Sequence, residues 1–127
     1  MSFRFVNRKA TKISEISLFK NLTELDLSGN LLQEQVKELS SLNFLKRISL
    51  CNNKIHDLWL LPRSIEILNL SSNLIKKMPE EASKRLKNIT TIDISNNKLE
   101  SLDNFQYMHR IKRLLAKNNF VRELTPL

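Results

Sequence analysis

Apolar residues along this chain fall in a recurring frame. Leu22, Leu25 and Leu27 are followed by Asn30 and Leu32. The frame returns as Leu45, Ile48, Leu50, Asn53, Ile55 and as Ile65, Leu68, Leu70, Asn73, Ile75. It continues as Ile89, Ile92, Ile94, Asn97, Leu99 and as Ile111, Leu114, Ala116, Asn119, Val121. The five asparagines are 23, 20, 24 and 22 residues apart, so one short structural unit is repeated along nearly the whole chain.

Within each frame the two apolar residues before Asn alternate with other positions, the period of a strand with one buried face. Each repeat therefore predicts a short strand, an inward apolar pair and a turn at Asn. That amide can serve backbone groups of neighbouring coils, so the asparagines should form an internal ladder. Stacking the coils makes a parallel sheet. Between strands the apolar spacing is three, as in Leu99, Leu102, Phe105, Met108, Ile111, Leu114 and in Ile13, Ile16, Phe19, Leu22, Leu25.

Residues 33–39 and 80–86 read as short helices on the opposite side. Pro79 suits the first turn of the second, where its missing N–H costs nothing. The 20-residue repeat, through Leu58, Leu61 and Pro62, has room only for a tight turn. Residues 1–20 read as a degenerate capping repeat. Phe3, Val6, Arg8, Thr11 and Ile13 are set on the frame, with Arg8 in an apolar place and Thr11 in the Asn place. The expected organisation is one domain, 1–127, with repeats at about 22–44, 45–64, 65–88, 89–110 and 111–127. At the last coil, either Phe120, Leu124 and Leu127 fold over the open end or a partner covers it.

This frame resembles the leucine-rich repeat, in the short intracellular class typified by the leucine-rich-repeat regulatory subunit of protein phosphatase one. Locally, Ile92-Asp93-Ile94-Ser95-Asn96-Asn97, Leu102-Asp103, Phe105, Arg110-Ile111-Lys112, Leu114-Leu115 and Asn118-Asn119 resemble a repeat of the spliceosomal A-prime leucine-rich-repeat protein. The acidic nuclear leucine-rich family is also similar in pattern, but its acidic tail has no counterpart here. The resemblance implies an α/β fold, a right-handed solenoid or horseshoe with a concave parallel sheet and short helices or turns on the convex side.

Composition narrows the chemistry. A 127-residue chain that is 41% hydrophobic and 27% charged can build a core. Its single Cys excludes an internal disulfide, and no Cys/His set has zinc spacing. There is no Gly-rich phosphate loop, and neither His56 nor His109 has a nucleophile or carboxylate at a catalytic spacing. The expectation is a protein that is not an enzyme, with no cofactor, metal or small-molecule substrate. The opening residues lack the apolar run of a secretory leader, and no 18-residue apolar stretch occurs. An intracellular address without a membrane span is expected, nucleus and cytoplasm being indistinguishable. On that reading the sequons at Asn21, Asn69 and Asn88 are by-products of the repeat.

The register also names the outward strand positions. They are Glu24, Asp26, Ser28; Arg47, Ser49, Cys51; Ile67, Asn69, Ser71; Thr91, Asp93, Ser95; and Arg113, Leu115, Lys117. This concave face runs from acidic to basic and carries two apolar residues, Ile67 and Leu115, that the repeat does not require. The expected function is a non-catalytic protein-interaction module, or a scaffold subunit of a larger intracellular assembly, gripping a protein partner there.

Net charge is +8 and unevenly spread. Residues 1–20 hold five basic and one acidic residue, 21–75 five and six, 76–127 eleven and six. The alternative is therefore a basic subunit of a ribonucleoprotein, ribosome-associated or splicing-type. Its RNA contacts would be Arg4, Arg8, Lys9, Lys12, Lys84, Arg85, Lys87, Arg110, Lys112 and Arg113. Only Tyr107 and Trp59 read as free rings, so such contacts would be to phosphates rather than bases.

Overall fold

The computed structural model describes residues 1–13, 15–33, 37–58 and 61–121. Six three-residue strands form one parallel sheet in chain order. They are β1 (Ser2–Arg4), β2 (Glu24–Asp26), β3 (Arg47–Ser49), β4 (Ile67–Asn69), β5 (Thr91–Asp93) and β6 (Arg113–Leu115). The central residues stand in one file, Phe3, Leu25, Ile48, Leu68, Ile92 and Leu114. The inward partners Leu27, Leu50, Leu70 and Ile94 are buried behind them, in a single core that runs from Ile16 to Met108. Each such Leu or Ile contributes about 1.5–3 kcal/mol by leaving water, and every coil adds the same set.

A strand this short leaves most of its coil's backbone to be satisfied elsewhere. Each turn has a residue in a left-handed conformation, Asn7, Gly29, Asn52, Ser72, Asn96 and Asn118, with φ between 54° and 70°, and the first turn adds a second, Lys9. Asn tolerates that region better than most residues, and Gly freely. The turn aims its N–H at the next coil, as from Gly29 to the Cys51 carbonyl and from Asn52 to the Ser71 carbonyl, each 3.0 Å.

The next residue is the expected asparagine, and the ladder is complete. Asn73 Nδ2 donates to the carbonyls of Leu50 (3.0 Å), Leu70 (3.0 Å) and Ser71 (3.2 Å), while its Oδ1 accepts from the Ile55 N–H (3.0 Å). Asn53, Asn97 and Asn119 repeat this, their Oδ1 atoms accepting from Leu32, Ile75 and Leu99. Each amide thus joins its own turn to the preceding coil.

The first coil departs from its expected frame. Phe3 pairs with Leu25, so Phe3 rather than Val6 is the strand centre. Arg8, not Thr11, takes the asparagine place, and its N–H and that of Ala10 both donate to Asn30 Oδ1 (3.0 and 3.1 Å). The coil therefore keeps a regular length, and the expected frame was three residues out of step. Phe3 is half-buried, stacked on Phe5 and Phe19 with centroids 6.5 and 5.9 Å apart. That leaves Phe19 exposed, against the inward place its spacing gave it.

Beyond the sheet, α1 (Glu80–Arg85) forms where a helix was expected, but Pro79 is its N-cap rather than part of the first turn. Its extended backbone (ψ 144°) precedes the helix, and its carbonyl accepts from the Ser83 N–H and Oγ. The helix expected over 33–39 is a 3-10 helix at Lys37–Ser41, with 34–36 outside the described residues. Further 3-10 turns lie at Ile16–Leu18 and Phe105–Tyr107. Leu58, Leu61 and Pro62 pack inside the shortest coil. Phe120 is 60% exposed and does not cover the last coil, while Leu124 and Leu127 lie outside the described residues. No helix among the described residues is long and apolar enough to cross a membrane.

The ladder sets the stability contrast. Asn73→Ala strips partners from a buried N–H and three carbonyls, and should cost about 2–4 kcal/mol. Ser95 Oγ is buried with no partner among the described residues, so Ser95→Ala should be neutral or stabilising by up to about 1 kcal/mol. Urea denaturation midpoints check both. An unchanged midpoint for Asn73→Ala would remove the ladder from the causes of the fold.

Candidate functional site

Alternation along each strand places every second residue outward, and parallel pairing aligns those residues into rows. One row runs Ser2, Glu24, Arg47, Ile67, Thr91, Arg113. The next runs Arg4, Asp26, Ser49, Asn69, Asp93, Leu115. Ser28, Cys51, Ser71 and Lys117 follow where the strands end, whereas Ser95, expected to face outward with them, is buried. With strands about 4.8 Å apart, the floor is about 24 Å long. All eleven candidate partner-binding residues lie on this face.

Their surroundings differ along it. At the first strands the polar groups satisfy one another. The Arg4 guanidinium is 3.6 Å from the Asp26 carboxylate, which also accepts from the Ser28 N–H and hydroxyl. Ser28 Oγ lies 2.8 Å from Ser49 Oγ, and Cys51 Sγ joins both hydroxyls. Arg4, Arg47, Glu24 and Asp26 line a shallow pocket of about 200 Å³ here. Further along, Asn69 and Asp93 accept from Ser71 and Ser95. Glu24, Arg47, Arg113 and Lys117 are exposed and have no side-chain partner among the described residues. Thr91, Ile67 and Leu115 are half-buried. The last two sit in different rows with β5 between them, so they are separate apolar points rather than one patch.

The ten candidate RNA contacts do not form one surface. Arg4, Arg8, Lys9 and Lys12 belong to the first coil, where the Arg8 guanidinium lies 6.0 Å from the Phe5 ring centroid. Lys112 and Arg113 lie in and just before β6. Lys84, Arg85, Lys87 and Arg110 come together in a pocket of about 660 Å³, with Arg63, Asn88, Tyr107 and His109. Tyr107 is not free, since the Lys84 ammonium stands 4.8 Å from its ring centroid. Trp59 lies outside the described residues.

Glu80 holds Lys84 in place at 2.8 Å. The hydrogen bond to Lys84, then its charge, keeps the Glu80 carboxyl below the ordinary carboxylate range, and Glu80 raises Lys84 in the same way. His56 Nδ1 lies 3.2 Å from its exposed neighbour Asp57, a surface contact. Among the described residues no three His, Cys, Asp or Glu side chains gather as metal ligands.

Sequence reasoning missed Arg63 and His109 as pocket residues, and the exposed rings of Phe5, Phe44 and Phe120. The signal for the pocket was present in the repeat length. Lys87 and His109, like Asn88 and Arg110, are one coil apart, and Arg110 donates to Asn88 Oδ1 across that interval.

Comparison with known proteins agrees with this architecture. Leucine rich repeat family models match residues 21–42 and 63–120. Osteomodulin of Rattus norvegicus is 37% identical over 86 residues, 65% of this chain and 20% of that protein. Mimecan of Homo sapiens is 31% identical over 102 residues, 78% of this chain and 34% of that protein. A leucine-rich-repeat protein of Leptospira interrogans aligns with TM-score 0.74 and 39% identity, over 83% of this chain and 28% of that one. Internalin C2 of Listeria monocytogenes shares the fold at TM-score 0.72 and 19% identity, over 97% of this chain and 64% of that one. The chain thus spans about a fifth to a third of the length of these curated relatives.

These relatives correct the intracellular expectation. Osteomodulin and mimecan are secreted extracellular-matrix proteins. The expectation rested on a missing apolar leader in the opening residues, which decides nothing in a chain that aligns with only part of each relative. The reading of the three sequons as by-products loses the same support.

The Glu80–Lys84 pair carries a pH expectation. With Lys84 raised, its share is complete below the ordinary lysine range and is lost as pH climbs through the raised value. With Glu80 lowered, its share is present above the ordinary carboxylate range and is lost as pH falls through the lowered value. The pair therefore holds between those ranges. Lysine-selective NMR should show Lys84 titrating above an ordinary lysine and returning toward it in Glu80→Gln; an unchanged titration would mean that the pair does not form in solution.

Proposed function

The chain belongs to the leucine-rich-repeat family, and from that premise we propose that it is a non-catalytic interaction module gripping a segment of a protein partner on its concave sheet. Repeat solenoids offer extended concave surfaces of this kind. The supporting observation is the division of labour on the face. Its inward residues are committed to the core, whereas Glu24, Arg47, Arg113 and Lys117 are exposed, with no side-chain partner among the described residues. Ile67 and Leu115 add apolar points that the fold itself does not need.

Charge gives the groove a direction. Glu24 and Asp26 stand at β2, partly offset by Arg4, and Arg113 and Lys117 stand at β6. A matching segment would carry basic groups over β2, acidic groups over β6 and an apolar side chain against Leu115. Osteomodulin and mimecan support placing this module outside the cell.

The test is recovery of the native complex at physiological salt, with half the sample treated with RNase. The expected partner is a protein that stays bound after RNase. Its affinity should fall about tenfold or more with Ile67→Asp or Leu115→Asp, in variants whose melting midpoint matches wild type, and should weaken only modestly with salt, as a few exposed charge pairs do. Release by RNase, with log affinity falling by about 0.7–0.9 per phosphate contact against log salt, would favour RNA and overturn the reading. So would binding indifferent to both substitutions.

A further inference from the structure

The pocket bounded by Arg63, α1 and Arg110 lies off the concave face, and no strand residue lines it. Three successive coils build it. Arg63 comes from the turn before β4, Lys84 to Asn88 from α1 and the turn before β5, and Tyr107, His109 and Arg110 from the stretch before β6. Among the described residues that line it, five of eight are Lys or Arg and none is a carboxylate. The nearby Glu80 engages Lys84.

The wall is held in place. Arg85 Nε donates to the Leu61 carbonyl at 2.7 Å. Asn88 Nδ2 donates to the Arg63 carbonyl at 3.0 Å, and Asn88 Oδ1 accepts from Arg110 at 3.1 Å. Against this fixed wall the Arg63 and Lys87 side chains are exposed and have no partner among the described residues. Converging cations repel one another until an anion enters, and guanidinium forks suit the geometry of tetrahedral oxyanions.

We propose that this pocket binds phosphate or sulfate ester groups of a small, multiply charged ligand. Its volume, about 660 Å³, lies within the range of small-ligand sites and exceeds what one phosphate fills. Of the two aromatic side chains in the lining among the described residues, Tyr107 already faces the Lys84 ammonium, which leaves the His109 imidazole as the single open ring. A strand of RNA needs a succession of stacking platforms, so one imidazole favours a compact anion over RNA. The proposal departs from the expectation of no small-molecule ligand, and it stands apart from the concave-face reading.

Calorimetric titration at fixed ionic strength, with pyrophosphate in one arm and sucrose octasulfate in the other, tests it. Saturable binding to at least one probe is expected, with a rise in the melting midpoint; the tighter arm tells a phosphate ligand from a sulfate one. Arg63→Gln with Lys87→Gln should weaken binding about tenfold. Lys9→Gln with Lys12→Gln, the same charge change on the first coil, should bind as wild type, as should Ile67→Asp. Should the first pair prove unstable, Arg110→Lys keeps the charge but loses the fork, and should weaken binding severalfold. The proposal is overturned if neither probe saturates, if the first-coil control weakens binding equally, or if a short single-stranded RNA binds more tightly than both probes.

Discussion

Each turn from β2 onward closes on an asparagine whose amide is spent on backbone, and the rest of the molecule depends on that. A coil with a three-residue strand buries more peptide groups than its ladder can pair. The Asn side chain answers with two donors and an acceptor at a point where two coils meet. Aspartate at Asn73 would lose the donors, and leucine would lose everything but volume. Because the acceptor side takes an N–H from the preceding coil, as Asn97 does from Ile75, each coil is completed only by its successor. This is cooperativity written in hydrogen bonds, on top of the shared apolar core.

The same economy explains where function can lie. Inside, the coils are nearly interchangeable: Leu25, Ile48, Leu68, Ile92 and Leu114 do the same work. Only residues pointing away from core and ladder are free to differ. They do so in two places, the concave rows and the rim where coils enter their strands. The first is acidic at β2, basic at β6 and dotted with apolar points. The second gathers cations from three coils around one hollow. Two surfaces of such different chemistry on one small solenoid can act without competing.

Much of the fold was legible because the repeat overdetermines it. Five copies of one frame fixed the strand centres, the inward pairs and the asparagines, and hence the outward rows. Legibility failed where a copy is degenerate. With Arg8 in the asparagine place, the side-chain pattern of the first coil fitted a frame three residues away; only the backbone bonds from Arg8 and Ala10 to Asn30 reveal the true one. Helix type was equally hidden, since a buried Leu39 serves an α-helix or a 3-10 turn alike. The basic pocket escaped because charge was read along the chain in runs, whereas the solenoid brings together residues one coil apart. The secreted nature of the curated relatives lies outside what repeat physics can express, because the same coil packs equally well on either side of a membrane.

What remains decisive is whether the amide ladder binds the coils into one cooperative unit. Native-state hydrogen exchange at Leu32, Ile55, Ile75 and Leu99, the N–H groups that donate to successive asparagines, reads this directly. On this account all four exchange only through global opening, with one shared free energy. Exchange at any of the four as fast as at exposed turns would mean that the coils open singly, and that the ladder does not hold them together.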